Sequence, residues 1–180
     1  MKRNMLFALL ALGISSSAIA AQSDADFLAA HGLAGKTTEQ MVEAIDSSPA
    51  ARPLAYNAGV TSTELKLSDG KQQFSYPLGD KFYLSFAPYL TQTHPCQNHS
   101  LSGCRGELAN TPFDVKVTDN SGNVLVHKSM TSHANGFVGI WLPRNIEGKI
   151  EVSYQGKKAS APIATHENSQ TCLTTLPLQS

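Results

Sequence analysis

Phe113-Asp114-Val115-Lys116-Val117-Thr118-Asp119-Asn120-Ser121-Gly122-Asn123-Val124-Leu125-Val126 decides the fold class. Apolar and polar residues alternate over Phe113–Val117, Asn120-Ser121-Gly122 turns the chain, and Val124-Leu125-Val126 returns. A period of two belongs to a strand with one buried face and one wet face. The pattern continues upstream, where Glu64-Leu65-Lys66-Leu67 alternates, Asp69-Gly70 gives a hairpin turn, and Gln73-Phe74-Ser75-Tyr76 comes back. Lys81–Phe86 makes a further strand after Gly79-Asp80, and Pro88 is expected to close it. Downstream, His133-Ala134-Asn135-Gly136 turns into Phe137–Leu142, Glu147-Gly148 into Lys149–Tyr154, and Gln155-Gly156 into a strand through Ile163. Cys172-Leu173-Thr174-Thr175-Leu176 reads as a last strand. Short strands with turn signals about every eight to twelve residues predict an antiparallel β-rich body over 57–180, in the form of a β-sandwich.

The period lengthens towards the N-terminus. Asp24-Ala25-Asp26-Phe27-Leu28 begins a short amphipathic helix that stops at Gly32. Thr37-Thr38-Glu39-Gln40 has the form of a capping box, with Met41, Val42 and Ile45 following at helical spacing. Ser47-Ser48-Pro49 and then Arg52-Pro53 end that helix. The expected class is therefore α+β, with a helical region over 21–56 joined to the β-rich body. The half-apolar helices must pack on the body or on a second copy, which makes a homodimer an expectation.

Residues 1–20 read as a secretory signal peptide. Lys2 and Arg3 precede the apolar run Met5–Ile14, and Ala18-Ile19-Ala20 fits the small-residue cleavage rule. The run is too short to span a bilayer, and no later segment is long and apolar enough to do so. A periplasmic location and no membrane anchor are expected. The chain as a whole balances 14 Lys+Arg against 14 Asp+Glu, so cleavage leaves a slight negative excess. Without a basic stripe there is no electrostatic footprint for nucleic acid.

Between the strands lies the stretch 91–107, which has no clear period. Loops of that length in a compact domain are more often functional than idle. Its centre reads His94-Pro95-Cys96-Gln97-Asn98-His99-Ser100-Leu101-Ser102-Gly103-Cys104. The chain has 3 cysteines, the last being Cys172, so a closed set of intramolecular disulfides cannot use them all. Thiolates select Cu(I) over harder ions, so Cys96, Cys104 and Cys172 form a candidate three-sulfur site. His94 and His99 are candidate further ligands, supporting groups or proton acceptors. The spacing does not fit zinc, whose paired ligands sit about two to four residues apart. Two other arrangements fit the same residues. One is a Cys96–Cys104 staple with Cys172 a buried free thiol; the other is a redox pair whose disulfide is the spent form.

Other features read as structural. His31, His127, His133 and His166 lie in polar or turn surroundings. Phe82, Tyr83, Phe86 and Tyr89 alternate as core and surface, and Trp141 reads as a sandwich core residue. Ala30–Thr37 ends like a phosphate loop but lacks its first glycine and a preceding strand. Serine hydrolase and zinc protease signatures are absent.

The stretch Phe86-Ala87-Pro88-Tyr89-Leu90-Thr91-Gln92-Thr93 through the thiol run to Arg105-Gly106-Glu107 resembles the signature of the CueP family of periplasmic copper-resistance proteins. The likeness extends over the mature chain, with the family cysteines at Cys96, Cys104 and Cys172. It implies copper held as Cu(I), in some cases taken up as Cu(II), and supply of the metal to periplasmic copper enzymes such as a Cu,Zn superoxide dismutase. It also implies thiol-driven reduction of Cu(II), sustained by a periplasmic thiol–disulfide reductant.

Overall fold

The computed structural model describes residues 23–180, so the expected signal peptide lies outside the described residues. Helix α1 spans Asp24–Ala30 and α2 spans Thr38–Asp46. Each begins with a capping box: Ser23 with Asp26, and Thr37 with Gln40, as the sequence predicts for the second. In α2 the Thr37 hydroxyl accepts from the Gln40 amide at 3.2 Å while the Gln40 side chain accepts from the Thr37 amide at 3.0 Å. That satisfies two amides that a helix start otherwise leaves open. No helix of the described residues is long and apolar enough to cross a membrane.

Ten strands follow: β1 Asn57–Val60, β2 Glu64–Ser68, β3 Gln73–Pro77, β4 Lys81–Tyr89, β5 Pro112–Asp119, β6 Val124–Thr131, β7 Val138–Pro143, β8 Glu147–Tyr154, β9 Lys157–Ala164 and β10 Cys172–Pro177. They form three sheets, ordered β1-β2-β3, β10-β4-β7 and β6-β5-β8-β9. The two helices lay Phe27, Met41, Val42 and Ile45 on Val60, Leu65 and Leu67 of the first sheet, in one apolar cluster. The other two sheets share a second cluster, which includes Phe82, Leu84 and Phe86 of β4, Val115 and Val117 of β5, and Leu173 and Leu176 of β10. Fully burying a side chain of this kind contributes about 1.5–3 kcal/mol.

Two sequence expectations change. The body is not wholly antiparallel, because β10 runs parallel to β4, pairing Cys172 with Ser85 and Leu173 with Phe86. After β9 the chain crosses back and enters beside β4 from the same end, which a local pattern cannot reveal. The strands divide into three open sheets, and two short helices precede them, in keeping with an α+β class. Pro88 does not close β4. It lies beyond Phe86↔Val138, the last β4–β7 pair, and next to the irregularity in the β10 ladder, so its missing amide costs no regular bond.

Strand β7 explains Trp141. Val138, Ile140 and Leu142 take the face towards the large cluster, which leaves Gly139 and Trp141 on the opposite face. Trp141 packs on Tyr83 at 4.8 Å between ring centroids and donates to Glu43 of α2 at 3.1 Å. It belongs to the helix-side cluster and is only half-buried.

Candidate metal centre

The loop after β4 has no ladder of its own, so other groups must fix it. At its mouth the Glu107 carboxylate accepts from the amides of Leu90 and Thr91, at 2.5 and 3.0 Å, and from the Thr91 hydroxyl. That hydroxyl and those amides hold the Glu107 carboxyl below the usual range. In its middle the loop meets β1 at an isolated bridge, where the Val60 amide donates to the His99 carbonyl at 2.9 Å. Thr171 adds a second anchor. Its hydroxyl accepts from the His99 amide at 3.0 Å and donates to the Val60 carbonyl at 2.6 Å, and its amide donates to Gln97 at 3.0 Å. Further on, buried Arg52 donates from Nε to the Leu101 carbonyl at 2.9 Å and from Nη2 to the Ile45 carbonyl at 2.9 Å. One guanidinium thus joins the loop to the open carbonyls at the end of α2. Finally the Gly106 amide donates to the Asn135 carbonyl at 2.6 Å. Gly106 lies so close to the Gly136 backbone that a Cβ on either would collide with the other.

These anchors bring the thiol loop to the first residue of β10. Cys96 and Cys172 are joined by a disulfide with a Cα–Cα distance of 5.5 Å, and Cys104 is free. The staple expected from spacing, Cys96–Cys104, is therefore not the bond formed, and Cys172 is not the free thiol. Those two sulfurs are close, at 3.7 Å, but the Thr171 anchors seat the Cys96 segment directly on the start of β10. Cys172 is fully buried, whereas Cys96 and Cys104 are partly exposed. Ala87, Phe137 and Cys172 form the apolar floor, with Cys96 and Cys104 packed against it.

Both candidate histidines lie at this point. The ligand atoms of His94, Cys96 and Cys104 all lie within 4.8 Å of one another, and so do those of His99, Cys104 and Cys172. The two groups overlap at Cys104. His94 faces the Phe137 ring at 6.1 Å and is partly exposed. His99 is fully buried, stacks on Phe137 at 4.5 Å, and holds Nδ1 3.8 Å from the Cys172 sulfur.

The other edge of the His99 ring meets a group that the sequence reading missed. His99 Nε2 lies 3.0 Å from Asp46 Oδ1, both side chains being fully buried. Asp46 also accepts from the Tyr83 hydroxyl at 2.7 Å and from Asn135 Nδ2 at 2.7 Å. Burial works against the imidazolium, but the Asp46 charge and hydrogen bond, with help from Cys104, raise the His99 pKa to about 9. Burial likewise opposes the Asp46 carboxylate, and His99, Tyr83 and Asn135 together hold its pKa below the ordinary value. Burial and the neighbouring carboxylate keep Tyr83 protonated far above its usual range. A carboxylate behind an imidazole fixes which ring nitrogen carries the outward proton and turns the other towards the sulfurs. The signal for Asp46 was available: it continues the Val42–Ile45 stripe on the apolar face of α2, an odd place for an unpartnered acid.

The arrangement offers three sulfurs and two imidazoles within one small, partly open volume. In the disulfide form two of the sulfurs are bonded to each other. The free Cys104 thiol lies within reach of Cys96, so thiol–disulfide exchange has its attacking group in place.

Comparison with known proteins agrees with this chemistry. The family model for the periplasmic copper-binding protein CueP matches residues 40–177. A solved structure described as the crystal structure of S.CueP is 66% identical, with a TM-score of 0.87, over 88% of this chain and 99% of that one. No curated protein matches the chain.

Proposed function

The chain belongs to the CueP family of periplasmic copper-binding proteins, and from that membership we propose that it sequesters copper as Cu(I) on Cys96, Cys104 and Cys172. The observation that carries the reading is the meeting of Cys172 with the two loop cysteines around His99. Thiolates are soft donors suited to Cu(I), and a buried floor of Ala87 and Phe137 keeps water from one side. His99 is a fourth ligand through Nδ1 or a donor to a bound thiolate, with Asp46 setting its orientation. His94, partly exposed like Cys96 and Cys104, is a further ligand on the open side of the site.

Holding the ion requires the cysteines as thiols. The Cys96–Cys172 disulfide is then the form left after reduction of copper. Two thiols give one electron each to two Cu(II) ions, the S–S bond forms, two protons leave, and two Cu(I) ions result. A periplasmic dithiol returns the pair to thiols. Cys104 stays reduced and keeps a sulfur in place for one of the two Cu(I) ions, the other passing to an acceptor, and the three-sulfur site re-forms once the pair is reduced. Transfer to a periplasmic copper enzyme, such as a Cu,Zn superoxide dismutase, proceeds by ligand exchange as one thiolate leaves, and copper resistance follows from the sequestration. Single Cys→Ser replacements with Cu(I) titration test the site. Each should weaken Cu(I) binding by at least about tenfold, the loss of one charge-bearing ligand. Unchanged affinity in all three variants would refute it.

The disulfide favours a second reading, in which copper is substrate and not cargo and the protein is a thiol-dependent metal reductase or disulfide oxidoreductase. Cu(II) reduction with a recycling dithiol separates the two. Many turnovers per chain, with no retained ion, mark the reductase; a carrier stops once its site is filled.

A further inference from the structure

Ser85 is fully buried, and its hydroxyl has no hydrogen-bond partner among the described residues. A buried hydroxyl left unpaired is costly, so its retention calls for a state in which it has a partner. Its position identifies that partner. Along β4, Phe82, Leu84 and Phe86 face the large cluster, while Tyr83 and Ala87 face the other side. Ser85 lies between Tyr83 and Ala87, on the side where Ala87 contacts Cys172. The ladders agree, since Ser85 pairs with Cys172 of β10 on one side and with Gly139 of β7 on the other. Paired residues of neighbouring strands carry their side chains on the same face. Gly139 has none, and the Tyr83 hydroxyl that lies over it is already engaged with Asp46 at 2.7 Å, so the Cys172 sulfur is the remaining polar group on Ser85's flank.

We propose that Ser85 is a positioning residue for the redox step: its hydroxyl donates a hydrogen bond to the Cys172 sulfur once the Cys96–Cys172 bond is opened. In the disulfide that sulfur carries no charge and is a poor acceptor. An attacking dithiol reaches Cys96, the partly exposed partner, and forms a mixed disulfide there. The Cys96–Cys172 bond breaks and its electron pair departs on Cys172. The second thiolate of the reductant then displaces Cys96, leaving the reductant as a disulfide and both cysteines reduced. Cys172 is thus the leaving group, and at full burial water cannot solvate its charge. His99 Nδ1 supplies one donor at 3.8 Å. Ser85 supplies another, and it is unsatisfied until that moment. The orphan hydroxyl therefore penalises the disulfide and favours its reduction.

The proposal does not depend on copper, so its failure and that of the copper reading are distinguishable. Metal-free protein is equilibrated with mixtures of reduced and oxidised dithiothreitol, the thiols are alkylated, and peptide mapping reads the Cys96–Cys172 pair. Ser85→Ala should shift the equilibrium towards the disulfide by roughly tenfold, the scale of one hydrogen bond to a charged group. Ser85→Thr, which keeps the hydroxyl, should stay near the unsubstituted protein. The melting temperature of oxidised Ser85→Ala should be unchanged or higher, since nothing is lost there. An unshifted equilibrium, a shift towards the dithiol, or a lowered melting temperature of the oxidised variant would overturn the proposal.

Discussion

Asp46 shows how one residue sets the character of the site. It takes three donors, from Tyr83, Asn135 and His99, inside a region without water access. Asp46→Asn keeps the shape but removes the charge that supports the imidazolium. Breaking a buried pair from one side costs about 3–5 kcal/mol, and this isosteric change should fall near the lower end. Denaturant unfolding of the oxidised, metal-free protein measures it. The pH dependence follows from the same pair. His99 is raised from 6.5 to about 9, so its contribution is whole below pH 6.5 and is lost as pH rises through 9. Asp46 is lowered from 3.8, so its contribution is present above that value and is lost as pH falls through its folded pKa. Stability of the oxidised protein should therefore be greatest between these limits, and Asp46→Asn should flatten both arms. Unfolding curves across pH that keep the alkaline arm in Asp46→Asn would contradict the assignment. At this scale the five candidate ligands could be named from the sequence, because sulfur and imidazole stand out in a loop. Asp46 could not be named so readily, because its meaning depends on what packs against α2.

At the scale of elements, the site is held by tethers between strands and loop more than by the loop itself. Thr171 is the shortest route between them, joining β1, the thiol loop and the entry to β10. Thr171→Val preserves volume but leaves the His99 amide and the Val60 carbonyl without their hydroxyl partner. The expected loss is about 1–3 kcal/mol in chemical denaturation. Amide hydrogen exchange should quicken at His99, while the β5–β8 ladder keeps its protection. Equal protection at His99 in both proteins would show that the loop is held elsewhere. Hairpins and the second capping box were legible because their signals are local: Asp69-Gly70 turns with Asp69 Oδ1 accepting from Lys71 and Gln72 at 2.8 Å. β1 escaped notice because Asn57-Ala58-Gly59-Val60 is short and low in β-formers. The parallel pairing of β10 escaped because alternation reports which face is buried and says nothing of direction.

At the scale of the whole molecule, the N-terminal cluster and the larger β cluster meet the thiol site from different sides. Asp46 comes from the helix side and His99 from the thiol loop that meets β1; Cys172 comes from the sheet whose other face builds the larger core. The return of the chain after β9 is what makes the site, since it carries Cys172 across a sequence separation of 76 to Cys96. Spacing alone favoured the Cys96–Cys104 staple, since nearer thiols pair more readily in an unstructured chain. The tertiary return overrides that preference; soft-donor chemistry and the resemblance of the thiol run to CueP proteins both pointed towards Cys172 as a member of the same site, but neither gave its pairing with Cys96. The measurement that tests the central claim most directly is X-ray absorption at the copper edge, on Cu(I)-loaded reduced protein and on its Cys172→Ser variant. The account predicts a sulfur-dominated first shell that loses one sulfur neighbour in the variant. An unchanged sulfur count in the variant, or a shell of nitrogen and oxygen alone in the unsubstituted protein, would contradict it.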